Sequence, residues 1–273
     1  MNRTEVGALR FLQTKRMSVT ELSVNLSRNL PWTSECVNHL EALGLVERER
    51  VGNTVFASLA RTQLGRSLEV LLAEESVLNL EALFTNSGML LLPLLLSPGH
   101  SSKALAARLG ASWRSVKAHL SRWRRMGVVL LDKGVYNLNP RHKRLSDFLR
   151  NYSDFRNSSI LRGDHPEAVI VWQWRDEFIF STDGKLDDGY YVPAGVSRLD
   201  SFNYNLVHTR EYYTNSTNGA QVSEEEALVQ ALLLDSNNPR VKRLIKNTDG
   251  IDHGTMLVRA GKYGLKTKVR ELI

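Results

Sequence analysis

The stretch SVTELSVNLSRNLPWTSECVNHLEALG, Ser18 to Gly44, decides how this chain is read. Moved 83 positions along, from 18 to 101, it lies without a gap on SSKALAARLGASWRSVKAHLSRWRRMG, Ser101 to Gly127. The identities are few but placed where structure needs them: Ser18 on Ser101, Leu22 on Leu105, Leu26 on Leu109 and Gly44 on Gly127, with Val37 meeting Leu120 and Leu43 meeting Met126. An internal repeat of this kind sets the architecture before any local propensity does. In each copy a Ser caps a short helix with apolar residues four apart, and after a turn a second helix runs to a Gly stop. The expected caps are Ser18 and Pro31 or Thr33 in the first copy, and Ser101 and Ser112 in the second.

The segment after each Gly separates this motif from other helix pairs. After Gly44, Leu45 to Arg50 and Thr54 to Leu59 flank the turn pair Gly52-Asn53; after Gly127, two short β-prone runs flank Asp132-Lys133-Gly134. Both copies therefore predict a helix-turn-helix with a β-hairpin wing. A further helix is predicted after each, from Thr62 to about Glu75 and from Arg141 to about Tyr152. Met89 to Leu96 reads as the first helix of the second unit, kinked at Pro93, with a dimer face as the other reading. The Ser76 to Ser87 connection reads as a shared helix or as a hinge.

The phrase LEALGLVERE, Leu40 to Glu49, with its hairpin and then LARTQLGRSL, Leu59 to Leu68, resembles the winged helix-turn-helix regulators of archaea and bacteria. The likeness covers about residues 1 to 152. It implies that the second helix of a copy enters the major groove and that the wing lies on the phosphate backbone or in the minor groove.

The two copies differ in charge. The second helix of the second copy, Trp113 to Met126, should bury Val116, Leu120 and Trp123 and turn Arg114, Ser115, Lys117, Ser121, Arg122, Arg124 and Arg125 outward. Such cations neutralise phosphates, and an Arg near the helix start can reach a guanine edge with two hydrogen bonds. Lys133 in the wing and Arg141, His142, Lys143 and Arg144 beyond it extend the patch. The first copy offers Trp32, Thr33, Ser34, Glu35, Asn38, His39 and Glu41 at the equivalent face, two acids and no Lys or Arg, with Arg48 and Arg50 in its wing. The second copy is thus the expected DNA reader and the first a packing or pairing module. Trp113 and Trp123 read as core residues rather than base-stacking platforms.

From about Asp164 the texture changes. Glu167 to Thr182 reads as two strands joined near Arg175-Asp176, a Gly/Asp-rich loop comes next, and NYNLVHTREYYTNST supplies one or two more strands. Ser223 with Glu226 three residues on predicts a capping box, and helices are expected from Pro239, over Ile251 to Lys262 and at the C-terminus. The expected fold is α+β: two winged helix-turn-helix domains, 1–80 and 81–155, then a smaller mixed α/β domain, 164–273. As a whole the chain resembles archaeal multidomain regulators whose tandem winged helices precede an α/β segment like that of abortive-infection antitoxins. FSTDG (180–184), TREYYTNS (209–216) and VSEEEALVQALLL (222–234) carry the likeness, which implies a sensor, oligomerisation or partner-binding role for this part.

A net charge of +7 suits a polyanionic partner. With one cysteine, Cys36, the chain can form no internal disulfide and no Cys-based zinc site of its own. With no apolar leader and no run of about 20 apolar residues, a cytoplasmic protein without membrane segments is expected. The seven His lack metal-ligand spacing, and neither a phosphate-binding Gly loop nor a nucleophile elbow occurs. No catalytic residue, metal or cofactor is therefore expected. A nuclease reading would rest on Asp183-Gly184-Lys185 with Asp164 and Glu167 upstream, although Asp-Gly-Lys is an ordinary hairpin turn. The expected function is a DNA-binding transcriptional regulator acting on double-stranded DNA as a homodimer, with a possible protein partner for the C-terminal domain. The alternative is a protein-interaction scaffold or antitoxin-like partner that uses winged helices without sequence-specific DNA binding.

Overall fold

The computed structural model describes residues 1–75, 78–85, 87–96, 99–174, 177–187, 189–215, 221–247 and 250–273. Helix (55%) outweighs strand (16%) and every sheet is small and antiparallel, so the class is α+β as expected. The chain divides into two compact units, Met1–Asn157 and Ser158–Ile273.

The first unit opens with α1 (Arg3–Thr14), β1 (Met17–Ser18), α2 (Val19–Asn25), α3 (Leu30–Ala42), β2 (Val46–Val51), β3 (Thr54–Leu59) and α4 (Gln63–Glu74). After α5 (Leu80–Phe84) come α6 (Gly88–Leu91), a 3₁₀ turn at Pro93–Leu96, α7 (Ser102–Leu109), α8 (Trp113–Arg125), β4 (Val129–Asp132), β5 (Val135–Leu138) and α9 (Lys143–Asp164), whose residues from Ser158 on belong to the second unit. The repeat is carried into the backbone residue for residue. α3 and α8 have 13 residues each, begin 83 positions apart, and are followed at the same offset by Gly44 and Gly127 with φ of 71° and 73°. That left-handed backbone ends both helices where a side chain would strain the turn. At Gly44 a Cβ would also lie 2.4 Å from the Phe155 ring of α9.

The cap of α3 is neither Pro31 nor Thr33 but Asn29, whose carboxamide accepts from the Trp32 amide at 3.0 Å. Asn29 stands 83 positions before Ser112, the cap of α8, so the repeat holds here too. Pro31 sits in the first turn, where a missing N–H costs nothing. Thr33 is fully buried, its hydroxyl donating to the Asn29 carbonyl at 3.0 Å. The Pro93 kink is present: α6 ends before it and the chain continues as a 3₁₀ turn, with Met89, Leu91, Leu94 and Leu95 buried. The Ser76 to Ser87 connection holds the short helix α5; residues 76–77 and 86 lie outside the described residues.

β1 adds a third strand to the first hairpin, in the order β1-β3-β2, with Met17 opposite Ala57. In the second copy His100, 83 positions after Met17, makes the matching bridge, its carbonyl accepting from the Tyr136 amide at 2.8 Å. One continuous core runs from Leu9, Leu22, Leu40 and Leu68 to Phe84, Leu105, Leu120, Trp123 and Phe148, so the two copies are halves of one unit. Trp123 is fully buried, and its indole N–H donates to the Ala82 carbonyl at 3.1 Å. This satisfies the one polar atom of the largest core side chain. α9 is much longer than the helix expected over Arg141 to Tyr152. Its start is tied to the end of α4 by Arg144 to Glu74 (2.6 Å) and His142 to Glu75 (2.9 Å).

The second unit contains β6 (Val169–Trp174), β7 (Glu177–Thr182), β8 (Val192–Pro193), α10 (Gly195–Leu199), β9 (Glu211–Thr214), α11 (Glu224–Leu234), α12 (Pro239–Asn247), α13 (His253–Lys262) and α14 (Lys266–Arg270). Its sheet is antiparallel in the order β6-β7-β9-β8. The turn expected near residues 175–176 lies outside the described residues. α10 falls in what the sequence presents as loop. It exists because Gly195, with φ of 50°, brings its buried amide to the Gln230 carboxamide at 2.9 Å, where a Cβ would meet Leu234 at 2.7 Å.

The capping box at Ser223 is only half made. The Ser223 hydroxyl accepts from the Glu226 amide, but the Glu226 carboxylate turns inward to Lys262 (3.0 Å) and the Tyr263 hydroxyl (2.7 Å). Gln230 donates to that same hydroxyl at 2.8 Å, and Lys262 also meets Glu177 at 2.5 Å. Burial alone would raise the Glu226 carboxyl, yet Lys262 and Tyr263 together hold it below its ordinary value. A satisfied internal network is worth more to the fold than a second bond to the helix start.

Candidate nucleic-acid interface

α8 forms because Ser112 caps it, its hydroxyl accepting from the Ser115 amide at 3.2 Å, and because its apolar residues fall on one side. Val116, Leu120 and Trp123 are buried, whereas Arg114, Ser115, Lys117, Ser121, Arg122, Arg124 and Arg125 are all exposed. At about 100° per residue, Arg114, Ser121 and Arg125 stand within about 20° of one line opposite the buried stripe. Lys117 and Arg122 flank that line, and Ser115 and Arg124 stand at its edges. The helix is about 20 Å long at 1.5 Å per residue, enough to lie along a major groove.

Among the described residues no acid pairs with Arg114, Lys117, Arg122, Arg124, Arg125 or Lys133. Arg122, Arg124 and Arg125 stand in the last turn, where cations also suit the helix dipole. That accounts for three of the five cations of α8; Arg114 and Lys117 sit in its first half, where the dipole gives them no support. The hairpin tip adds Lys133, exposed, with φ of 46° in a two-residue turn with Gly134 between Asp132 and Val135. A two-residue hairpin turn of this kind needs positive φ at both central residues, a strained backbone for a lysine.

Two expectations change. Trp113 is 41% exposed rather than core; its indole N–H donates to Ser102 at 2.9 Å, and the Lys117 ammonium lies 4.7 Å from its ring, so it braces α8 against α7. His142 and Arg144 leave the basic patch for their carboxylates on α4, while Arg141 and Lys143 stay exposed. His119, which the sequence pattern did not single out, contacts Ser87 at 3.2 Å and packs on Trp123. Burial, then the neighbouring Arg122, hold its imidazole below the ordinary value.

The first copy is built otherwise. Arg48 is drawn back onto α3 by Glu41, with its Nε 2.7 Å from that carboxylate, and also by Asn38. Arg50 turns to the Gly52 carbonyl at 3.1 Å. Arg16 pairs with Glu49 and Arg61 with Glu47. A cleft of about 290 Å³ lies between α2, α3 and the hairpin, lined among others by Leu30, Ser34, Asn38, Arg48 and Val55.

In the second unit the residues of the nuclease reading stay apart. Asp183 is exposed and pairs with Arg210 at 3.1 Å, Asp164 lies near the Tyr191 hydroxyl, and Lys185 and Glu167 are exposed. Among the described residues no three His, Cys, Asp or Glu side chains are grouped to hold a metal ion. No described helix is long and apolar enough to cross a membrane. No protein-family model matches the chain, and the search of curated proteins finds no relative.

Proposed function

We propose that this chain is a DNA-binding regulator with two winged helix-turn-helix domains, in which α8 reads duplex DNA and the β4–β5 wing grips the backbone. The observation that carries this reading is the exposed row of Arg114, Lys117, Arg122, Arg124 and Arg125 opposite the buried stripe of α8, none in an ion pair among the described residues, with Lys133 at the tip of the adjoining hairpin. Arg114, Lys117 and Arg125 face the groove and reach base edges or phosphates; Arg122, Arg124 and Lys133 meet phosphates alone. The protein acts by occupancy, as a homodimer on a palindromic site, with the second unit sensing a signal or holding a partner.

The test is a fluorescence anisotropy titration against random duplex and against the protein's own promoter region at two salt concentrations, with an Arg122→Ala/Arg124→Ala/Arg125→Ala variant alongside. Salt-steep, promoter-preferring binding that the variant loses is expected. Equal binding by both proteins would sink the proposal. A second reading, in which the first copy contacts protein rather than DNA, is favoured by its α3 face, which has two acids and no Lys or Arg, the sequestered Arg48 and the exposed Leu30 and Val51.

A further inference from the structure

The second unit holds a cleft of about 380 Å³ lined by Tyr204, Leu206, Arg240, Arg243, Leu244 and Asn247. Its walls differ in chemistry. Leu206 is buried and Tyr204 packs against the core of the unit, so the side built by residues 204–206 is apolar and carries an aromatic ring. The Tyr204 hydroxyl donates to the Glu224 carboxylate, which fixes that ring. On the other side α12 presents Arg240 and Arg243, one turn apart and both exposed, with the partly buried Leu244 beside them. Among the described residues neither guanidinium has an ion pair. α12 carries four cations and no acid in PRVKRLIKN, so the cleft lies in a positive field that nothing on its own helix offsets.

Asn203 and Asn205, on either side of Tyr204, both have left-handed backbone, with φ of 65° and 44°. Asn adopts this backbone more readily than other side chains do, and Asn203 closes the 3₁₀ turn at Asp200–Phe202, so the pair sets the turn that presents Tyr204. The volume falls at the lower end of the range for small-molecule sites, about 300–1,000 Å³. Guanidinium groups on neighbouring turns match the planar, multidentate needs of a phosphate, and Asn247 adds an amide donor and acceptor.

From these features we infer that the cleft binds a small organic phosphate with a flat, apolar body, of the class of a mononucleotide: Arg240 and Arg243 clamp the phosphate while Tyr204, Leu206 and Leu244 cover the ring. This site is independent of DNA contact at α8. The probes are AMP, adenosine, inorganic phosphate and a short random duplex, each titrated into the full chain by calorimetry. AMP is expected to bind one per chain, with adenosine and phosphate each weaker by about tenfold or more, the scale of a lost charge-assisted hydrogen bond. Arg240→Ala and Arg243→Ala, both at exposed positions, should each weaken AMP by a similar factor without moving the melting temperature. Arg114→Ala should leave AMP binding intact. AMP binding no tighter than phosphate, binding indifferent to both arginine variants, or loss of binding on Arg114→Ala would each overturn the inference. A duplex that binds, and loses affinity in Arg240→Ala and Arg243→Ala while AMP does not bind, would assign α12 to a nucleic-acid backbone instead.

Discussion

α3 and α8 are the same device built twice, with opposite surfaces. Both have 13 residues, a side-chain cap 83 positions apart (Asn29 and Ser112), and a left-handed glycine two residues after their last turn (Gly44 and Gly127). Position by position the outward faces part: Pro31 against Arg114, Ser34 against Lys117, Asn38 against Ser121, His39 against Arg122, Glu41 against Arg124 and Ala42 against Arg125. Helix formation depends on caps and a buried stripe, both shared. Binding depends on the solvent face, which packing leaves free to diverge. The inward positions diverge in a milder way, with Leu40 where the second copy has Trp123 and Cys36 where it has His119.

The largest effect is expected in the core. Trp123→Ala should cost about 3–5 kcal/mol, as a large cavity opens and the Ala82 carbonyl loses its donor; Leu40→Ala should cost about 2–5 kcal/mol. Denaturant midpoints check both, and a cost under about 1 kcal/mol for either would mean that the shared core is not a single cooperative unit.

Next comes the difference in charge. Arg114→Ala/Lys117→Ala/Arg125→Ala should lower duplex affinity by about a hundredfold or more and the salt slope by about three. Glu35→Ala/Glu41→Ala in the first copy should not weaken binding at all. Glu41→Gln sharpens the contrast, because it releases Arg48 and should strengthen non-specific binding by a few fold, about the worth of one phosphate contact. If it does not, the first copy faces away from DNA in the complex.

Lys133→Gly should move stability and binding in opposite directions. Relief of the left-handed lysine should add about 0.5–1 kcal/mol in thermal unfolding, while loss of its charge weakens all DNA sequences alike. A destabilised variant would contradict the strain assigned to this turn.

The smallest effects are ionic. His119 has a lower pKa folded than unfolded, so the unfolded chain binds more protons in the window just below the ordinary value of 6.5. Stability should therefore fall as pH drops from about 6.5, and His119→Asn should flatten that slope. Cys36, its counterpart, is buried, and that burial with Glu5 nearby pushes its thiol up to about 12. It should stay unreactive toward thiol reagents at neutral pH unless the chain unfolds.

Much of this was legible in the residues. The repeat, both hairpins, the Gly stops, the buried triplet Val116, Leu120 and Trp123, and the exposed basic face of α8 follow from periodicity and turn chemistry, which act over a few residues. The features that were not legible depend on partners distant in the chain. Glu226 has the spacing of a capping-box residue, and only the approach of Lys262 and Tyr263 turns it inward. Arg144 and His142 read as cations free for DNA until Glu74 and Glu75, some 70 positions earlier, meet them. α10 has no sequence signal because its anchor is the Gln230 side chain, 35 positions on.

The sequence by itself determined that two equivalent helix pairs with hairpins exist and that one of them is basic, because caps, turns and hydrophobic period are local rules read within a dozen residues. Only the tertiary structure decided that the two share one core, that Arg48 is neutralised while Arg114 and Lys133 are not, and that Arg240 and Arg243 stand over a cleft walled by Tyr204. Those outcomes turn on which side chains come within a few ångströms after folding, where contact and burial determine whether a charge is spent inside the protein or offered to a ligand.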